Sequence, residues 1–217
     1  MRRPRLFIFD WDGTLMDSAH QIVSCMQRAA ADLGLAMPDK GAISEAIGLG
    51  LPEVIQLLFP AHPADLRERI KRTYARHYIA EVGGPSQLFQ GARELLHGLR
   101  ADQALLAVAT GKSRAGLDRV LLQSELVEVF HVSRCADETA SKPDPRMLFE
   151  ILEAVSVSPD EAVMIGDTTY DLEMAAKAGV RSIGIAHGVH EAEALEMHSP
   201  LQVLPDLLTL APYLASL

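Results

Sequence analysis

The chain has 217 residues, 48% of them hydrophobic, with a formal charge of −9: long enough for a large buried core, as one domain or as a domain with a substantial insertion. The acidic balance excludes a protein that coats nucleic acid or an anionic membrane, since both call for a basic face. Two cysteines, Cys25 and Cys135, make no disulfide framework, only four apolar residues follow the basic "MRRPR", and no segment approaches transmembrane length, so the expected setting is a reducing, cytoplasmic one with small soluble partners.

Leu6–Phe9 is a continuous apolar run, the pattern of a strand buried on both faces of a parallel sheet. It opens into "DWDGTLMD", with Asp10, Asp12 and Asp17 inside eight positions. Residues 18–82 then read as helix. Ile22, Met26, Ala29, Ala30 and Leu33 share one face, and Leu66, Ile70, Tyr74 and Tyr78 share another. Shorter helices are expected over 40–47 and 52–58, and "EVGGPS" (81–86), with its paired glycines, reads as a return hinge. Strands over 104–109 and 162–165, and weaker ones over 131–134, 182–186 and 201–204, alternate with helices over 92–99, 113–122, 146–155 and 171–178. That alternation predicts an α/β fold with a doubly wound parallel sheet. Roughly ninety residues separate the first strand from the second, far more than one crossover helix needs. The expected organisation is therefore an α/β core over 1–17 and 83–217, with an all-helical cap over 18–82 covering the carboxyl edge of the sheet. No internal repeat is visible.

In an open parallel sheet, ligands bind outside the carboxyl ends of the strands, so polar residues at those ends meet in space. Asp10 and Asp12 follow the first strand, Thr110 and Gly111 the second, and Asp167 follows "AVMIG". Asp171 falls in the first turn of the next helix, where the helix dipole favours a carboxylate. Lys142, in "SKPDP", precedes a proline that biases it to an extended backbone. Taken singly, each has a plainer reading: the DxD as an acidic turn or helix cap, Thr110 as a strand end, Lys142 as a surface lysine. Together they gather four acids and one base in a crevice, which is costly unless a hard cation is present. Mg²⁺ suits few carboxylates plus a substrate phosphate. The phosphate would be held by the metal, Lys142, the Thr110 hydroxyl and backbone N–H groups after Asp10 and Thr110.

"DWDGT", "VATGKS", "KPDP" and "GDTTYD", in that order, resemble the four motifs of the haloacid dehalogenase-like hydrolases, specifically their phosphoglycolate phosphatase-like members with a helical cap. The resemblance implies a Mg²⁺-dependent phosphatase acting on a small phosphorylated metabolite, phosphoglycolate-like or a sugar phosphate, as a monomer or homodimer. It makes Asp10 the nucleophile that becomes phosphorylated and Asp12 the general acid/base. Thr110, Gly111 and Lys142 would hold the phosphate. Asp10, the Asp12 backbone carbonyl and Asp167 would ligate the metal, with Asp171 behind or beside them, and Trp11 would shield the site. A phosphosugar mutase or a pyrophosphatase could use the same scaffold, and a phospho-accepting receiver module is the non-enzymatic alternative. Two departures matter. Gly111 stands where relatives often carry asparagine, and the cap loop "AIGLGLPE" has no basic residue, leaving Arg72 and Arg76 as replacements only if their helix faces the site. His187 and His190 read as loop residues rather than a metal pair, His20, His62 and His77 as solvated or capping, and "SPDE" (158–161) as a capping box.

Overall fold

The computed structural model describes residues 4–80 and 87–215; the expected hinge, and with it the boundary at 82/83, lies outside the described residues. The strands are β1 (Leu6–Phe9), β2 (Met16–Asp17), β3 (Gln87–Leu88), β4 (Leu105–Thr110), β5 (Val132–Cys135), β6 (Ala162–Gly166), β7 (Arg181–Ile185) and β8 (Val203–Leu204). Six of them form a parallel sheet in the order β5-β4-β1-β6-β7-β8. The apolar run of β1 thus occupies the centre, and its alternation divides two cores. Phe7 and Phe9 pack with Leu95, Leu99, Leu117 and Leu210, whereas Leu6 and Ile8 pack with Met147, Ile151 and Met174. The first side is covered by α5 (Ala92–Ala101), α6 (Arg114–Gln123) and α10 (Leu207–Ala215), the second by α7 (Arg146–Val155) and α8 (Thr169–Lys177).

The register sets the site. Phe9 is level with Val108 of β4 and Ile165 of β6, so the residues just beyond them, Asp10, Thr110 and Asp167, emerge side by side at one edge. Between β2 and β3 the chain forms α1 (Ala19–Asp32), α2 (Lys40–Glu45), α3 (Leu51–Leu58) and α4 (Ala64–Ala80). These close around their own apolar centre of Met26, Ala30, Ile43, Ile55, Phe59 and Ile70. The predicted amphipathic faces are what meet there.

Three features differ from expectation. β2 and β3 pair antiparallel, Met16 opposite Leu88. Two-residue strands carry no readable alternation, which is why the pattern missed them. The short α9 (Ala192–Glu196) and α10 were also unforeseen, the latter because Pro212 interrupts its pattern. Ser158 makes no capping box: its hydroxyl donates to the Glu161 carboxylate at 2.9 Å. The capping box lies instead at Thr168 and Asp171, opening α8. No helix among the described residues is long and apolar enough to cross a membrane.

Candidate active site

Asp10, Asp167 and Asp171 each offer a carboxylate oxygen within 4.8 Å of the others, and all three are buried. Their supports differ. The Thr14 hydroxyl donates to Asp167 Oδ1 at 2.6 Å and the Val189 N–H to Oδ2 at 2.9 Å. Asp167 also fits between two glycines, because a Cβ at Gly13 or Gly188 would stand 2.2 or 2.1 Å from its carboxylate. Gly13 in addition has φ +84°, the left-handed region that glycine adopts without steric cost. Asp171 has one oxygen on the Thr168 hydroxyl (2.7 Å) and the other on Lys142 Nζ (2.6 Å). Lys142, fully buried, also meets Asp10 Oδ1 at 2.7 Å. Of the six oxygens, Asp10 Oδ2 alone has neither a hydrogen bond nor an ion pair among the described residues.

The electrostatics follow from that count. Three buried carboxylates share one ammonium, two charges short of neutrality. Burial pushes Asp10 well above the usual carboxylate range; Asp171 and Asp167 add to the rise against the opposing pull of Lys142. Asp167 is pushed up to about 7 by burial and by Asp171. Burial works against the charge on Lys142, but Asp10 and Asp171 outweigh it and hold the ammonium above its ordinary range. A divalent cation would supply the missing charge, and oxygen donors at this spacing suit Mg²⁺. The donor set fits the metal that the motifs imply.

Asp12 stands across from this cluster. Its Oδ1 accepts from the Ser18 hydroxyl at 2.5 Å and from Lys112 Nζ at 2.8 Å. Lys112, which sequence reasoning passed over, also donates to the Tyr78 hydroxyl of α4 at 3.1 Å. The only signal for it was a cation two residues beyond a strand end. Thr110 is fully buried, and its hydroxyl oxygen accepts the Lys112 N–H at 3.2 Å, leaving its own proton to give. Thr14, Ser18 and Thr168 were likewise missed; their roles depend on partners brought by folding.

The cap loop after α2 covers the site. A Cβ at Gly111 would meet Leu49 O at 2.4 Å and Gly48 O at 2.6 Å, so glycine at this position is what lets the loop backbone come this close. Three hydrogen bonds hold the loop down: Gly50 N–H to Ser141 Oγ (2.8 Å), Tyr170 O–H to the Glu45 carbonyl (2.9 Å) and His190 Nε2–H to the same carbonyl (3.3 Å). The other nitrogen of His190, Nδ1, accepts the Thr169 N–H at 3.0 Å. His187 stacks on Phe89 at 3.7 Å and donates to the Thr14 carbonyl at 3.0 Å. Both histidines are therefore structural braces. His77 is neither solvated nor a cap, since it pairs with Asp32 at 2.8 Å between α1 and α4. Arg72 and Arg76 turn to solvent, on Glu68 and Asp32. Trp11 points into the core, edge-on to Phe130 at 6.2 Å, instead of shielding the site.

A family model described as haloacid dehalogenase-like hydrolase matches residues 7–185. The chain belongs to that family. This hydrolase is 32% identical over 214 residues to a phosphoglycolate phosphatase of Agrobacterium fabrum, covering 96% of this chain and 91% of that one. It is 29% identical over 188 residues to an N-acetylmuramic acid 6-phosphate phosphatase of Pseudomonas putida, covering 86% and 84%. A hydrolase from Pseudomonas syringae shares the fold with a TM-score of 0.89 at 24% identity over 99% of both chains. The expectation of a phosphatase-type haloacid dehalogenase-like hydrolase stands.

Proposed function

We propose that this hydrolase cleaves a small phosphate monoester through an aspartyl-phosphate on Asp10, in the cytoplasm, with residues 18–82 serving as a lid over the core. The observation that carries the reading is Asp10 Oδ2, a buried carboxylate oxygen without a partner among the described residues, on the floor of a cavity that also holds Asp12, Thr110 and Lys112. Asp10 and Asp167, with the Asp12 carbonyl, would hold Mg²⁺, and Asp171 stands behind, anchoring Lys142. When bound, the metal would polarise a phosphoryl oxygen and offset the repulsion between anions. Asp10 Oδ2 attacks phosphorus, the ester bond breaks, and Asp12 gives its proton to the departing alkoxide. Lys142, ion-paired with Asp10 and Asp171, keeps donor capacity on its ammonium; with the Thr110 hydroxyl and the Gly111 amide it binds the transferring oxygens. Asp12, now ionised and held by Ser18 and Lys112, takes a proton from water, which attacks the acyl phosphate and releases phosphate. A receiver module needs no covered cavity of this kind. The relatives named above act on substrates that range from a two-carbon acid phosphate to an amino-sugar phosphate, and both are monoesters.

The test is phosphate release from a panel of phosphate monoesters. EDTA should abolish it and Mg²⁺ restore it, with Ca²⁺ a poor substitute because of its larger, looser shell. Asp10→Asn should lose on the order of 10³-fold or more of the rate, since the covalent route is gone. Full activity in chelator would refute the reading.

A further inference from the structure

The space above Asp10 is larger and oilier than hydrolysis of a short acid phosphate needs. Its volume is about 340 Å³, room for roughly ten waters at about 30 Å³ each and within the size range of sites that enclose drug-sized ligands. The floor is polar, with Asp10, Asp12, Thr110 and Lys112. The walls come mainly from the cap and are apolar: Ile22 and Met26 of α1, Ile43 of α2, Ile47 of the loop and Val54 of α3, with the Tyr74 and Tyr78 rings of α4 opposite. Lys71, Arg119, Glu53 and Asp137 add charged side chains to the lining.

Lys112 and three of the loop amides at the throat are committed within the protein. Lys112, the cation there, is already engaged by Asp12 and Tyr78. Three of the loop amides that would otherwise cradle a carboxylate are used within the protein: Ile47 N–H on Ser44 O, Leu49 N–H on Ala46 O and Gly50 N–H on Ser141 Oγ. A short anionic leaving group would leave most of the cavity to water against aliphatic walls.

We propose that the physiological substrate is a phosphate monoester whose leaving alcohol carries an apolar body of about six to ten non-hydrogen atoms, filling the cavity between α1, α3 and α4. This rests on the phosphatase reading and deepens it by naming the alcohol. A chemically even comparison uses ethyl phosphate and n-hexyl phosphate, whose alkoxides leave equally well, with 2-phosphoglycolate as the short anionic probe. A buried methylene is worth about fourfold, so four of them, partly buried, should raise kcat/KM for hexyl over ethyl phosphate by about tenfold or more. Hexyl phosphate should also exceed 2-phosphoglycolate. Ile22→Trp, which fills the cavity from α1, should bring the hexyl-to-ethyl ratio close to one. A ratio near one in the wild type, a ratio unmoved by Ile22→Trp, or 2-phosphoglycolate as the best of the three would overturn the assignment while leaving a phosphatase. Absence of Mg²⁺-dependent phosphate release from all three would overturn the phosphatase reading and the inference with it.

Discussion

Gly111→Ala adds one methyl group at the point where the cap loop meets the core. Its Cβ would stand 2.4 Å from Leu49 O and 2.6 Å from Gly48 O, against an ordinary contact of 3.4–4 Å. The obstructing atoms are backbone carbonyls, which cannot rotate aside as a flexible side chain would, so the loop must withdraw by about 1 Å. Overpacking of this kind costs about 1–3 kcal/mol. It is opposed by the bonds from Gly50 to Ser141 and from Tyr170 to Glu45, each contributing about 1 kcal/mol. The two sides are comparable, so the loop should lift while the core stays folded. The closed-to-open ratio then falls by about 5- to 150-fold, and a displacement of about 1 Å near the chemistry can itself lower the rate by about 10²-fold. Steady-state kinetics on a cavity-filling ester should show kcat/KM reduced within that range, with the far-UV circular dichroism unchanged. A kcat/KM within about twofold of wild type would refute the reasoning, because an effect below about 0.5 kcal/mol means that the loop does not sit on Gly111 when the enzyme reacts.

Two further predictions concern stability and reactivity. In metal-free protein the folded state binds protons more tightly than the unfolded chain, because Asp167 is raised to about 7 by burial and Asp10 is raised as well. Stability from these groups is therefore greatest at low pH and falls as pH rises from about 4 through 7. Melting in EDTA should give a higher Tm at pH 5.5 than at pH 8, and saturating Mg²⁺ should raise the pH 8 value and flatten the slope. A metal-free Tm that climbs over this interval would contradict the charge count. Cys25 and Cys135 are both buried, and burial pushes the Cys135 thiol up to about 12, so DTNB at pH 8 should titrate no thiol in the native protein and two after denaturation. Rapid labelling of either in native protein would show that the packing around it opens readily.

The floor of the site was legible in the sequence because it depends on period and register alone. A run of four apolar residues marks β1 as central, and the pairing of Phe9 with Val108 and Ile165 then places Asp10, Thr110 and Asp167 together. The roof was not legible. Lys112 acquires meaning only through Asp12, 100 positions away, and Tyr78 on α4, 34 positions away, and the tightness of the loop over Gly111 only through the carbonyls of Gly48 and Leu49. Arg72 and Arg76 show the limit from the other side. They share α4 with Tyr74 and Tyr78, but a helical period alone does not say which face turns to the core; the Asp32 and Glu68 carboxylates take the two arginines outward.

The central claim is that Asp10 carries the phosphoryl group and Asp12 the proton, and rapid acid quench with intact-mass measurement tests it most directly. Asp12→Asn keeps the nucleophile and its Lys142 contact. Given an aryl phosphate, whose leaving group needs little acid assistance, it should form the acyl phosphate but lack the base that activates water. The account predicts one added phosphoryl mass on the Asp12→Asn protein and none on Asp10→Asn. A stable adduct on Asp10→Asn, or equal turnover of the two variants on every substrate, would contradict it.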